Sequence, residues 1–246
     1  MAKFIILDTE TTGTGESDRI IQLGFFVLDG REIEVYEDFC KPDIPVSVEA
    51  MEVHHITPDK LQDKSKCKDT KAYKKLCELN TPDNYMIIHN APFDLAMLAK
   101  EDFVLKMKLI DTLRCAKHVY EDEKVYRLQY FRYKLGIYKQ EQQEASRWGV
   151  KLQAHDALGD VLILKLFLSK LKQAVKDKFP KLNPVEQMTQ LTKKPVFIKT
   201  FKFGKYKGKD LADIAKEDAG YLRWMITSMD NIDEDLRYSI KTVLST

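Results

Sequence analysis

The stretch FIILDTETTG, residues 4–13, constrains the fold more than any other part of the chain. Phe4-Ile5-Ile6-Leu7 reads as a strand made to be buried, and two carboxylates, Asp8 and Glu10, follow it at once. In a strand, residues i and i+2 share a face, so the two acids point together while Thr9 turns the other way. Taken alone, the pair fits a solvated strand end with its charges at the rim. If the end is buried, something must balance them.

The rest of the chain supplies the layers such a strand needs. RIIQLGFFVLDGREIEVYEDFC reads as a hairpin turning at Asp29-Gly30, and residues 41–61 are a proline-punctuated loop with one helical turn. A short helix follows, with Asp69 as a candidate cap. NYMIIHN is a strand leading into the helix APFDLAMLAK, and MKLIDT is another, followed by helices near 112–119 and 127–135. The apolar segment HDALGDVLILKLFLSKLKQAV predicts a long helix over 155–175. The order β-β-β-α-β-α-β-α-α-α implies an α/β fold, a mixed sheet with helices packed on its faces.

Composition excludes several classes. A net charge of +2 gives no global polycation signal, and no apolar run reaches the about 18–20 residues that span a bilayer. The four cysteines are scattered without zinc spacing and read as reduced thiols, so a cytoplasmic protein without a membrane partner is expected. After Lys172 the character changes. Between Lys176 and Lys209 ten lysines stand against Asp177 and Glu186, punctuated by three prolines. Residues 173–198 read as a basic linker. FKFGKYKGK then reads as a hairpin, DLADIAKEDAGYLRWMI and DEDLRYSIKTVL as helices, and the tail as a small second module. Tyr206, Tyr221 and Trp224 are expected in that module's core.

Two further acidic stretches join the first. Asp94 falls in the first turn of the helix after IIHN, where it complements the helix dipole. Asp160 lies among Ala, Leu, Val and Ile, where a lone carboxylate is costly to bury, with His155 five residues before it. Four acids at strand ends and helix starts can converge on one crevice of an α/β sheet. Two carboxylates about 4 Å apart repel by about 4 kcal/mol at an effective dielectric near 20. Hard divalent cations with oxygen ligands, Mg²⁺ or Mn²⁺, are the natural remedy. That balances the charges at the end of the first strand.

DTETTG, HNAPFD and HDALGD resemble, in order and spacing, the three motifs of the DEDDh (DnaQ-like) 3′→5′ exonuclease superfamily. The resemblance covers residues 1–172, the expected nuclease domain. EAMEVHHIT and the tail TFKFGKYKGKDLADIAKEDAGYLRWM further resemble the exodeoxyribonuclease X branch, with residues 199–246 as its C-terminal module. The resemblance implies a ribonuclease H-like five-stranded mixed sheet flanked by helices, plus a small, mainly helical C-terminal module. It implies hydrolysis of DNA from a free 3′ end to nucleoside 5′-monophosphates, with two Mg²⁺ ions for which Mn²⁺ can substitute.

Carried over by motif, Asp8, Glu10 and Asp160 hold the first ion, Asp8 bridges to the second, and Asp94 supports the second. His155 is the general base, imidazole being the side chain that exchanges protons near neutral pH. Thr11, Thr12, Asn90 and Phe93 are expected at the terminal sugar and phosphate, and Ile56 against the terminal base. His55 stands where the family usually carries glycine or arginine. Residues 12–18 offer no apolar side chain to wedge open a duplex end. The lysine-rich tail is a candidate grip on the phosphate backbone. Three rival readings are a proofreading subunit bound to a polymerase partner, an exoribonuclease of the same fold, and a binding module without activity.

Overall fold

The computed structural model describes residues 2–152, 155–229 and 231–245. Five strands form one sheet: β1 (Phe4–Thr11), β2 (Ile20–Asp29), β3 (Glu32–Phe39), β4 (Tyr85–Ile88) and β5 (Lys108–Asp111), in the order β3-β2-β1-β4-β5. β2 pairs antiparallel with both β1 and β3, whereas β1–β4 and β4–β5 are parallel. The helices among the described residues are α1 (Val48–His54), α2 (Lys71–Leu79), α3 (Ala91–Ala99), α4 (Thr112–Val119), α5 (Leu128–Lys134), α6 (Glu141–Trp148), α7 (Ala157–Lys178), α8 (Pro184–Lys193), α9 (Leu211–Glu217), α10 (Ala219–Ser228) and α11 (Glu234–Leu244). None of them is long and apolar enough to cross a membrane.

The period of two along β1 divides the core. Ile5 and Leu7 pack with Leu76 of α2 and with Met97 and Leu98 of α3, while Ile6 packs on the other face with α4, α5 and α7. On that second face Phe131 of α5 stacks on Phe167 of α7 at 4.8 Å between ring centroids. Truncating a fully buried aromatic of this kind costs about 3–5 kcal/mol. The alternation continues past the apolar run. It sends Asp8 and Glu10 to the α7 face and Thr9 to the α3 face.

The chain divides into two compact units at 192/193, not at 172. A boundary at 172 would cut α7, which runs on to Lys178, and the expected basic linker over 173–198 contains α8. Met188 and Leu191 of α8 are buried in the core of the first unit, and its Thr192 hydroxyl accepts from the backbone N–H of Asp111 at 2.9 Å. The second unit has a core of its own, built on Phe201, Leu211, Ile214, Leu222, Met225, Leu236 and Ile240. Its expected single helix over 210–226 is broken at Asp218, whose carboxylate accepts from the N–H of Tyr221 and starts α10. Trp224 is not core: 53% of its surface is exposed.

Candidate active site

The end of β1 and the start of α7 are brought together by two residues of β2. Gly24 pairs with Asp8 across the strands. A Cβ at Gly24 would lie 3.0 Å from the backbone nitrogen of Leu158 and 3.1 Å from the carbonyl carbon of Ala157, so only glycine lets the helix start come this close. Gln22 pairs with Glu10 and is fully buried. Its Nε2 donates to Asp156 Oδ1 at 2.9 Å and Glu37 Oε1 at 2.7 Å, and its Oε1 accepts from the N–H of Ala157 at 3.2 Å. Asp156 in turn caps α7 by accepting from the N–H of Gly159 at 3.1 Å.

One helical turn further, Asp160 faces the β1 acids. Ligand oxygens of Asp8, Glu10 and Asp160 all lie within 4.8 Å of one another. Gln129 of α5 donates to Asp160 Oδ1 at 2.6 Å, and Arg132 donates to the Gln129 amide oxygen at 3.0 Å. Arg132 is itself held by the buried Glu141 through Nε at 2.6 Å. Asp94 is buried on the α3 face and accepts from the Thr9 hydroxyl at 2.8 Å, as the alternation along β1 requires. It stands outside the group of three but close enough to act on the charge of Asp8 and Glu10.

Burial, then the charges of Asp94, Asp160 and Glu10, hold the Asp8 carboxyl well above its ordinary range. Glu10 is pushed up to about 8 by burial first and then by Asp160 and Asp94. Burial also pushes Asp94 and Asp160 up to about 7, against the pull of the Thr9 hydroxyl on the one and of Arg132 and Gln129 on the other. Four carboxyls driven in the same direction form a site that stays ionised at neutral pH only with added positive charge. The donor set is all carboxylate oxygen, which fits hard divalent cations.

The remaining predicted residues divide sharply. His155 is exposed in the left-handed region, at φ 56°, and its backbone N–H turns onto the Asp160 carboxylate. Asn90 is exposed at the N-terminus of α3 with φ 77°, and Phe93 is partly buried against the α3-side core. Thr11 and Thr12 spend their hydroxyls inside the turn after β1, donating to the Gly13 carbonyl at 2.7 Å and to Asp18 Oδ1 at 2.6 Å. Ile56 is only 3% exposed and packs with Ile21, Val46 and Leu61, at the wall of a cleft of about 260 Å³ that also reaches Phe39, Lys60, Lys151 and Asp156.

His54 joins that loop to the site. Its Nδ1 accepts from the N–H of Ile56 at 3.0 Å, so Nε2 carries the proton and donates to the Thr11 carbonyl at 3.2 Å. Burial pulls its pKa down and favours this neutral ring. His55 closes α1 at φ 59°, which accounts for glycine being acceptable there. Gln22, Asp156, Gln129 and Arg132 were not singled out from sequence. YRLQYFRYKLGI, which resembles the helix preceding the third motif in that superfamily, is the one sequence signal that points toward Gln129 and Arg132.

A mixed five-stranded sheet with an acidic cluster at the end of its central strand defines a nuclease of the ribonuclease H-like fold. The family model described as Exonuclease matches residues 5–167, and the chain belongs to that family of exonucleases. A second model, Exodeoxyribonuclease X-like C-terminal, matches residues 201–228. Exodeoxyribonuclease 10 of Escherichia coli strain K12 is 28% identical over 240 residues, which is 97% of each chain. The epsilon subunit of DNA polymerase III from Buchnera aphidicola is 32% identical over 143 residues, 50% of this chain and 58% of that protein. Among solved structures, Exonuclease X in complex with 5′ overhanging duplex DNA superposes with a TM-score of 0.54 at 22% identity, covering 78% of this chain and 99% of that one. Escherichia coli exonuclease I in complex with a dT13 oligonucleotide gives a TM-score of 0.53 at 20% identity, covering 72% and 42%.

Proposed function

We propose that this exonuclease digests DNA from the 3′ end to nucleoside 5′-monophosphates with two Mg²⁺ ions, Mn²⁺ serving in their place. The observation that carries the reading is the convergence of Asp8, Glu10 and Asp160 within 4.8 Å, with Asp94 beside them and an exposed His155 at the mouth. Asp8, Glu10 and Asp160 would hold one ion, with Asp8 shared and Asp94 supporting the second. When bound, the ions supply the positive charge that stabilises the attacking and leaving oxygens at phosphorus.

The chain's own residues do the rest. The His155 imidazole takes the proton of the attacking water as the water oxygen adds to phosphorus and the P–O3′ bond breaks. The departing O3′ takes a proton from solvent water to become the new 3′-hydroxyl, and the ring returns its own proton to solvent. Gln129 and Arg132 fix the orientation of Asp160, and Gln22 fixes the start of α7 that carries both His155 and Asp160. Asn90 and Phe93, at the start of α3 beside Asp94 in sequence, would meet the terminal nucleotide. The cleft at Ile56 combines apolar Phe39 and Leu158 with Lys60 and Lys151 and with Glu37 and Asp156, and its apolar side would take a base.

DNA is favoured because the relative matched along 97% of its length is named an exodeoxyribonuclease. The polymerase-subunit likeness covers only half of this chain. The test is digestion of 5′-labelled single-stranded DNA with Mg²⁺, beside RNA of the same sequence. We expect a ladder shortening from the 3′ end on DNA, lost in His155→Ala by at least about a hundredfold. Faster cutting of RNA would overturn the substrate, and full activity in His155→Ala would overturn the role of the imidazole.

A further inference from the structure

The second unit carries an aromatic surface that its own core leaves uncovered. Phe203 is 45% exposed and Trp224 53% exposed. Between them stand Phe201, buried and 4.7 Å from the Phe203 ring, and Tyr221, which stacks on Trp224 at 5.9 Å and 30°. Phe201 and Tyr221 meet edge to face at 6.3 Å, so the four rings form a continuous row with both ends open to solvent. Tyr206 braces the row: its ring meets Tyr221 at 5.2 Å, and its hydroxyl donates to Asp218 at 2.7 Å.

The positive charge lies on the same loop. Lys199, Lys202, Lys205, Lys207 and Lys209 occur within eleven residues that contain no acid. Lys205 sits over both Tyr206 and Tyr221, at 4.6 and 4.7 Å from their centroids, and pairs with Asp218 at 3.0 Å. Lys209 pairs with Glu217 at 2.7 Å. Lys205 and Lys209 therefore stiffen the loop, whereas Lys202 and Lys207 are exposed beside Phe203 and Tyr206 in sequence. Flat rings with two open ends, set in a lysine loop, match the two chemical features of a single nucleic-acid strand: base faces that stack and phosphates that carry charge.

We propose that this face of the second unit binds single-stranded DNA, with Trp224 and Phe203 as stacking surfaces for bases and Lys202 and Lys207 on phosphates. The choice of DNA rests on the nuclease reading above, and the site is a grip on the strand separate from the acidic cluster. A peptide partner would use the exposed rings without the lysines, and the test separates the two.

The experiment is fluorescence anisotropy of a labelled oligo(dT) with the full-length protein in EDTA, where no strand is cut, over a salt series. Trp224→Ala is expected to weaken binding about tenfold with little change in salt slope, and Trp224→Phe to restore most of the loss. Lys202→Gln with Lys207→Gln is expected to lower the slope of log K against log salt by about 1.4. Because Trp224 lies outside the core, a circular dichroism melt like that of the wild type will confirm that the variant is folded. Wild-type affinity in folded Trp224→Ala would overturn the proposal. So would an unchanged salt slope in the double lysine variant, which is what a peptide-binding face predicts. A wild-type protein that binds through Trp224 but cuts no DNA with Mg²⁺ would sink the nuclease reading and leave this one standing.

Discussion

Gln22 shows how much a single neutral side chain can control in a site dominated by charge. It is buried between Glu37, Asp156 and the first amide of α7 and satisfies all three with one carboxamide. Leucine has a similar volume but no polar atoms, so Gln22→Leu would leave two carboxylates and one N–H short of partners. Buried groups left unsatisfied cost about 1–3 kcal/mol, which in a unit of this size lowers the melting temperature by about 2–4 °C per kcal/mol. We expect that loss together with a fall in kcat, while affinity for DNA in EDTA stays near wild type, because the residue positions α7 and touches no substrate. A Leu variant with wild-type melting and turnover would remove Gln22 from the machinery. The meeting of Asp8, Glu10 and Asp160 was legible in the sequence because these acids stand at a strand end and a helix start. Gln22 was not, since its bond to Asp156 spans 134 positions, and neither was Gln129, which reaches Asp160 across 31.

At the scale of elements, the site depends on how closely the start of α7 approaches β2. Gly24→Ala tests this, because its Cβ would meet main-chain atoms of Ala157 and Leu158, which cannot rotate away. Overpacking of this kind costs about 1–3 kcal/mol, and here the strain moves the turn that carries His155 and Asp160. The expected outcome is a greater loss of nuclease activity than of stability, read from kcat beside a thermal melt. Equal, small effects on both would show that α7 yields without disturbing the site. β1, β2, β4 and α7 were legible as dense apolar runs, whereas β3, half acidic, was legible from the Asp29-Gly30 turn that folds it back along β2. α6 and α8 were not: α6 buries only Glu141 and Ala145, and α8 hides Met188 and Leu191 among prolines and lysines that read as a linker. Trp224 was misplaced for a related reason. Leu222 and Met225 already fill the buried positions of α10, and the ring between them in sequence is left outside.

For the molecule as a whole, the acidic cluster ties stability to pH and to divalent cations. Folding raises Glu10 from 4.5 to about 8, and Asp94 and Asp160 from 3.8 to about 7, so the folded state holds these protons more tightly than the unfolded chain. Raised carboxyls contribute stability that is full below about pH 4 and is lost as pH climbs through 7 and 8. In EDTA, the melting temperature of the first unit is therefore expected to fall between pH 5 and pH 9. A cation bound by the ionised carboxylates works in the opposite sense, adding about 2.7 kcal/mol when present at a hundred times its dissociation constant. Protons compete for the same oxygens, so the gain in melting temperature from Mg²⁺ should be small at pH 5 and largest near pH 8–9. Asp8→Asn separates the two effects. It removes one repelling charge and one ligand, so in EDTA at pH 8 it should melt higher than wild type by about 0.5–2 kcal/mol of stability while losing the response to Mg²⁺. A wild-type melting temperature that ignores both pH and Mg²⁺, or an Asp8→Asn variant that responds to Mg²⁺ as wild type does, would mean that these carboxylates are not the cation site.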